Sequence, residues 1–415
     1  MTEKQKIVLV TVAALLSACN SWSLKQKNTE FLQSARSGNV ADLQSAIDAG
    51  ADIHARDSAG NTALLLAVSE RNKDAALMLL QAGLDANARN NYGESALYLA
   101  SSGGFLEIVK FLIQASANPE LPDIKGRTPM MAAIANRHME IVRLLIANGV
   151  NPEAQDQDTQ TALMLAADTV QPEIMHLLLK AGAQVDSTDQ YETTALFRAA
   201  RHDSLESVML LVENGANIYH RDYSNNTALM TAASNGQTSI VTYLINAEAG
   251  RDPARQGLDE ALVQASRGGH NNIILLLLDA GGNINAFARG EYFSPLMIAA
   301  MQGHVETVRI LIEAGAKIDI RHGSDCTPLI LAAQGGHTES MRVLIGAGAN
   351  VNAREMNNET ALMWAAYSGN VEAVQLLLDS GAEISARDQR GDTALQWAQK
   401  KNHTEIIQLL SHHAQ

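Results

Sequence analysis

The sequence predicts an all-α repeat solenoid, and three observations carry that prediction. A Thr/Ser-Ala/Pro-Leu/Met triplet returns every 33 residues at Thr62, Ser95, Thr128, Thr161, Thr194 and Thr227, and again at Thr327, Thr360 and Thr393. The 415 residues are 46% hydrophobic but only 4% aromatic. The core must therefore be Ala, Leu, Ile, Val and Met, which suits closely spaced helices better than a β-sandwich. Each period also holds two short helical stretches, neither apolar enough to stand alone, so stability must come from stacking.

At the start of the chain, Lys4 and Lys6 flank the beginning of an apolar run from Ile7 to Leu16, which Ser17, Ala18 and Cys19 follow. This pattern predicts an export signal peptide over residues 1–18 and a short tether over 19–28. As a helix the run rises only ~15 Å, half a bilayer core, so it is too short for a permanent span. No later stretch approaches eighteen consecutive apolar residues. Leu16-Ser17-Ala18-Cys19 resembles a bacterial lipobox. That resemblance implies lipidation of Cys19 as the first mature residue, and Asn20 rather than Asp after it implies sorting to the outer membrane, facing the periplasm.

The repeat array then runs from residue 29 to 415. Thr29-Glu30-Phe31-Leu32 lies one period before Thr62, Glu260-Ala261-Leu262 keeps the register, and Ser294-Pro295-Leu296 arrives one residue late. About twelve units result. In the ninth, Ser294 is an N-cap and Pro295 suits the first helical position, where its missing N–H costs nothing. The first helix is expected over Leu296–Gln302, stopping at Gly303. A second places Val305, Val308, Leu311 and Ile312 on one face, with Gly315 as its left-handed stop. Residues 316–321 lead to the next unit as an extended finger.

These residues, with the fingers at Gly50-Ala51-Asp52, Gly215-Ala216-Asn217 and Gly348-Ala349-Asn350 and the Gly-His turns at 269–270, 303–304 and 336–337, resemble the ankyrin repeat family. The resemblance implies a helix-turn-helix plus β-hairpin finger in every unit, and partners docking on the finger tips and first-helix face. One departure is systematic: Met131, Met164, Met230, Met297 and Met363 replace the histidine of the family's Thr-Pro-Leu-His. Repacking by an adaptable apolar side chain is the expected reason, and a methionine stripe open to oxidants is the alternative. The seventh unit lacks its Gly-Ala-Asp finger, so residues 246–258 are the place to expect a bend or a seam between two folding blocks.

Searching for chemistry returns no catalytic constellation, no metal site and no cofactor motif. There is no His-Glu-x-x-His, Gly-x-Ser-x-Gly or phosphate-binding Gly-x4-Gly-Lys, and Gly346-Ala347-Gly348 ends a helix instead of cradling a dinucleotide. His138, His270, His304, His337 and His403 share one repeat position. Helices stack ~10 Å apart, too far for successive imidazoles to share a metal. Cys326 has no defined partner residue, and two cysteines make no disulfide scaffold. His412-His413 reads as a polar tail, and of the sequons at Asn225, Asn358 and Asn402 the first two read as by-products of the repeat, which places Asn two residues before its capping Thr. The net charge of −14 repels phosphate backbones and excludes nucleic acid as a natural partner.

What remains is surface. In an aromatic-poor chain, Tyr219, Arg221 and Tyr223, then Arg251 and Arg255, then Phe287, Arg289, Tyr292 and Phe293 fall on three adjacent fingers. Tyr and Arg are hot-spot residues, so these nine form the expected protein-binding patch. The other reading folds Phe287 and Phe293 under their own fingers. Trp364 and Trp397, at the position of Leu66, Leu99 and Leu165, are expected to pack as core or cap. The sequence therefore points to a non-enzymatic, monomeric interaction module whose only membrane contact is its N-terminal lipid. It would bind a protein partner, as an immunity or accessory factor for an envelope protein. A secreted effector acting on proteins of a foreign cell is the alternative.

Overall fold

Capping chemistry repeats with the sequence period. In the computed structural model, which describes residues 23–248, 256–287, 293–321 and 323–413, the Thr62 hydroxyl oxygen accepts the N–H of Leu65 and starts the helix Ala63–Ser69. Ser95, Thr128, Thr161, Thr227, Ser294, Thr327 and Thr360 cap their own helices in the same way. In the ninth unit the first helix is Pro295–Gln302, with Pro295 in its first turn and Gly303 in the left-handed conformation after it. The second helix, Val305–Glu313, buries Thr307, Val308 and Leu311. The described residues hold 24 helices, and none of them is long and apolar enough to cross a membrane.

The two helices of a unit are buried differently. Every residue from Ala63 to Val68 is buried, whereas the second helix Lys73–Gln81 buries only Ala75, Ala76 and Leu79. First helices pack on first helices, Ala63–Ser69 on Ala96–Ser102 and Ala96–Ser102 on Pro129–Ala135, with the second helix of each unit behind. Paired alanines such as Ala166–Ala167 and Ala232–Ala233 let the helices pack closely, and each fully buried leucine such as Leu79 contributes about 1.5–3 kcal/mol. Met131, Met164, Met230, Met297 and Met363 are all buried in this stack, so the methionine stripe is packing and not an oxidant-facing surface.

The fingers are turns more than hairpins. Among the described residues strand pairing is limited to isolated bridges such as Arg56 with Thr62 and Arg89 with Ser95. An acidic or amide side chain takes the N–H groups a longer ladder would use: Asp57 Oδ1 accepts from Ala59 and Asn61, and Asp123 Oδ1 from Lys125 and Arg127. The tips bond to each other instead. Asn91 N–H donates to Ala59 O, Ile124 N–H to Tyr92 O and Gln157 N–H to Lys125 O, each at 2.9 Å.

The chain divides into two compact units, Met1–Arg198 with Glu213–Ala216, and Ala199–Val212 with Asn217–Gln415. Within the second, the irregular stretch 246–258 lies partly outside the described residues. Helix Gln256–Gly268 nonetheless packs against Ala228–Ser234 before it and Pro295–Gln302 after it. That helix is 13 residues long where Ala228–Ser234 has 7. Glu260 stands where other repeats have their capping Ser or Thr, so nothing stops the helix there and it continues back to Gln256.

Candidate protein-binding surface

Three groups of residues recur along the array: a latch that joins repeats, the finger tips, and the wall formed by the first helices. The latch accounts for the histidines. His138 Nε2 lies 3.1 Å from Ser102 O, and His270, His304, His337 and His403 reach the carbonyls of Ser234, Arg267, Met301 and Tyr367 at 2.9–3.1 Å. A carbonyl only accepts, so Nε2 carries the proton in each case. In some other repeats an amide at this position does the same work: Asn72 donates to Arg36 O at 2.8 Å, Gln171 to Ile134 O at 2.8 Å and Gln237 to Arg201 O at 3.0 Å. The glycine of the preceding turn makes room. At Gly303 (φ 75°) a Cβ would stand 2.4 Å from His337 Nδ1. Among the described residues no group of His, Cys, Asp or Glu is placed to hold a metal ion.

Among the described residues, finger tips carry the most exposed of the large apolar side chains. Tyr92, Ile124 and Tyr191 in the first unit, and Tyr223 and Met356 in the second, follow the finger's Asn90, Asp123, Asp189, Asp222 and Glu355 by one or two residues, and each is more than half exposed. The backbone beneath them is fixed. Asp189 takes the N–H groups of Tyr191 and Thr193, the Thr193 hydroxyl and the Arg198 guanidinium. Burial alone would raise its carboxyl, but these donors outweigh it and hold Asp189 below the usual carboxylate range.

The wall of first helices is uneven. In the first unit Ala132 stands where Leu66, Leu99 and Leu165 stand in neighbouring repeats, leaving a concavity of about 650 Å³ lined by Tyr98, Arg127, Met131, Ala135 and Leu165 among others. Tyr98 donates its hydroxyl to Asp123, which Arg127 also pairs at 2.7 Å. Burial and that neighbouring carboxylate push the Tyr98 phenol well above its ordinary value. In the second unit Trp364, Tyr367 and Trp397 contact one another edge to face, with centroids 5.3–5.8 Å apart. Trp364 and Trp397 are half-buried and Tyr367 is exposed. Their packing thus keeps part of the cluster on the surface, and is not a closed core.

The nine residues singled out from sequence are placed unevenly. Tyr223 is 81% exposed at its tip. Arg221 is committed within the molecule: it donates to Asn225 O at 2.8 Å and pairs with buried Glu260 at 2.6 Å. Tyr219 is half-buried with its hydroxyl out of solvent. Phe293 packs on Val263 and Ile298, and Phe287 is half-buried. Arg251, Arg255, Arg289 and Tyr292, and Cys19 at the other end, lie outside the described residues. Sequence reasoning passed over Tyr92, Ile124, Tyr191 and Met356, although the same 33-residue period places them at tips. Cys326 is buried, and burial pushes its thiol up, away from a reactive thiolate.

Stacked helix pairs joined by fingers and a repeated inter-repeat latch define a helical repeat protein built for binding. The family model described as "Ankyrin repeats (3 copies)" matches at residues 31–123, 116–189, 171–257, 196–288, 262–355, 296–388 and 329–415. The chain belongs to the ankyrin repeat family, whose members are in general protein–protein interaction modules. Among curated proteins, none matches it.

Proposed function

We propose that this ankyrin array is a monomeric interaction module, tethered through a lipid on Cys19 to the outer membrane and facing the periplasm. There it recognises one protein partner along its finger tips and first-helix wall. Its role is stoichiometric, as an immunity factor that blocks an envelope toxin or as an accessory factor for an exported protein. Exposed apolar tips on fixed turns support this most directly, because Tyr92, Ile124 and Tyr191 in the first unit, and Tyr223 and Met356 in the second, are uncovered where the family docks its partners. The lipobox-like Leu16–Cys19 supports the tether.

Two measurements test it. Labelling with palmitate should mark the full chain and vanish in Cys19→Ala, with the variant leaving the membrane fraction. Unlabelled full-length protein released to the medium would instead favour the secreted effector. Partner captured by cross-linking from native membranes should bind the Tyr191→Ala/Tyr223→Ala variant at least about tenfold more weakly. Unchanged affinity would move the interface off the tips.

A further inference from the structure

The last two repeats hold aromatic rings and carboxylates in an arrangement that no stacking requirement explains. Two of the chain's three tryptophans, Trp364 and Trp397, meet Tyr367 on the first-helix wall. Beside these rings the fingers carry Glu355, Glu359 and Asp388. Two of these carboxylates are internally engaged: Glu355 accepts the N–H groups of Asn357 and Glu359, and Asp388 accepts those of Arg390 and Asp392 and the indole N–H of Trp397 at 2.9 Å. Glu359 differs, because among the described residues it forms no ion pair. Burial first, then the charges of Glu355 and Asp388, raise its carboxyl, while Arg390 and Trp364 pull the other way without cancelling them.

The rings already show what they accept. Lys401 Nζ stands 4.1 Å from the centre of the Tyr367 ring, an internal cation–π contact on an exposed face. Nearby Lys400 is taken by Asp392. Asp392 and Tyr367 thus each have a cation in contact, whereas Glu359 beside Trp364 has none in contact among the described residues and feels the Arg390 charge only from beyond ion-pair distance.

Building on the protein-binding reading above, we propose that the surface formed by Trp364, Tyr367, Trp397 and Glu359 receives an arginine or lysine side chain of the protein partner. The Glu359 carboxylate would take its N–H groups, and the indole faces its charge and alkyl stem. Charge complementarity selects this occupant. An apolar side chain would leave Glu359 desolvated and unpaired, and an acidic one would face three carboxylates.

The test is selection of phage-displayed random dodecapeptides on the full chain, followed by binding of the enriched peptides to variants. Tryptophan fluorescence reports occupancy at Trp364 and Trp397. Enriched peptides should carry Arg or Lys, quench or shift this emission, and lose at least about tenfold in affinity for Glu359→Gln and for Trp397→Leu. Glu359→Gln is nearly isosteric and removes only a charge, so it keeps the test valid should Trp397→Leu unfold the terminal repeat. Peptides without a basic residue, or basic peptides that bind Glu359→Gln as tightly, overturn this inference. If such peptides lose affinity for the Tyr191→Ala/Tyr223→Ala variant, the protein-binding reading survives without it. No enrichment on any surface counts against both.

Discussion

Arg221 looks like a partner-binding residue in the sequence, and the structure gives it a different employer in Glu260. Replacing it with alanine leaves the Glu260 carboxylate, whose side chain is 6% exposed, without its cation. Removing one partner of a fully buried pair costs about 3–5 kcal/mol, and an exposed pair is worth under about 1 kcal/mol. The Arg221 side chain is 24% exposed, so water reaches part of the vacated space. The cost should fall between, at about 2 kcal/mol. In a unit of this size that lowers the melting temperature by about 4–8 °C. Thermal and urea unfolding followed by circular dichroism would measure it, with Arg221→Gln/Glu260→Gln as the control. The double variant should recover most of the loss, because it buries no unpaired charge, giving a coupling energy above about 1 kcal/mol. An Arg221→Ala protein that melts with the wild type but binds its partner poorly would refute this reasoning and return Arg221 to the interface.

Three further outcomes follow from the geometry. Gly303→Ala should cost about 2–3 kcal/mol, from the left-handed backbone and a displaced His337 latch, whereas Gly315→Ala, with φ 93° but nothing within 4 Å, should cost only the backbone share of about 1–2 kcal/mol; urea titration compares them. Dilute peroxide should oxidise Met356 at its exposed tip well before Met131, Met164, Met297 or Met363, as peptide mass spectrometry would show. In Asp57, Asp123, Asp189 and Asp388, burial raises the carboxyl but hydrogen bonds outweigh it and hold each below its ordinary value. Their stabilisation is therefore complete above about pH 4 and is lost as pH falls through the lower folded values. Asp123→Asn should flatten that acid limb of the stability curve.

The repeat was legible because its signals are local. A capping Thr, a helix-period apolar face and a turn glycine act within a dozen residues, so Ser294 to Gly315 could be placed from sequence with the helix start off by one residue. The candidate site was less legible because exposure depends on neighbours one repeat away. Phe293 and Tyr223 both read as finger aromatics, yet one lies on Ile298 and the other projects into water. Glu260 kept the triplet's register while lacking a hydroxyl, and only the packed structure shows that its carboxylate recruits Arg221. Trp364 and Trp397 occupy a leucine position, which reads as core or cap packing. That position is half-buried where it holds Leu99 or Leu165 as well, so the exposure belongs to the place in the repeat and not to the rings.

The latch reads a main-chain carbonyl, and residues offering it include Arg36, Ser102, Ile134, Arg201, Ser234, Arg267, Met301 and Tyr367. They share no side-chain chemistry, so a joint made this way does not depend on which unit stands next to which. A gene built on it can duplicate, delete or transpose a 33-residue segment without matching changes in the neighbours. Array length and the order of surface patches can therefore evolve by recombination, while the tips and the wall change by point substitution.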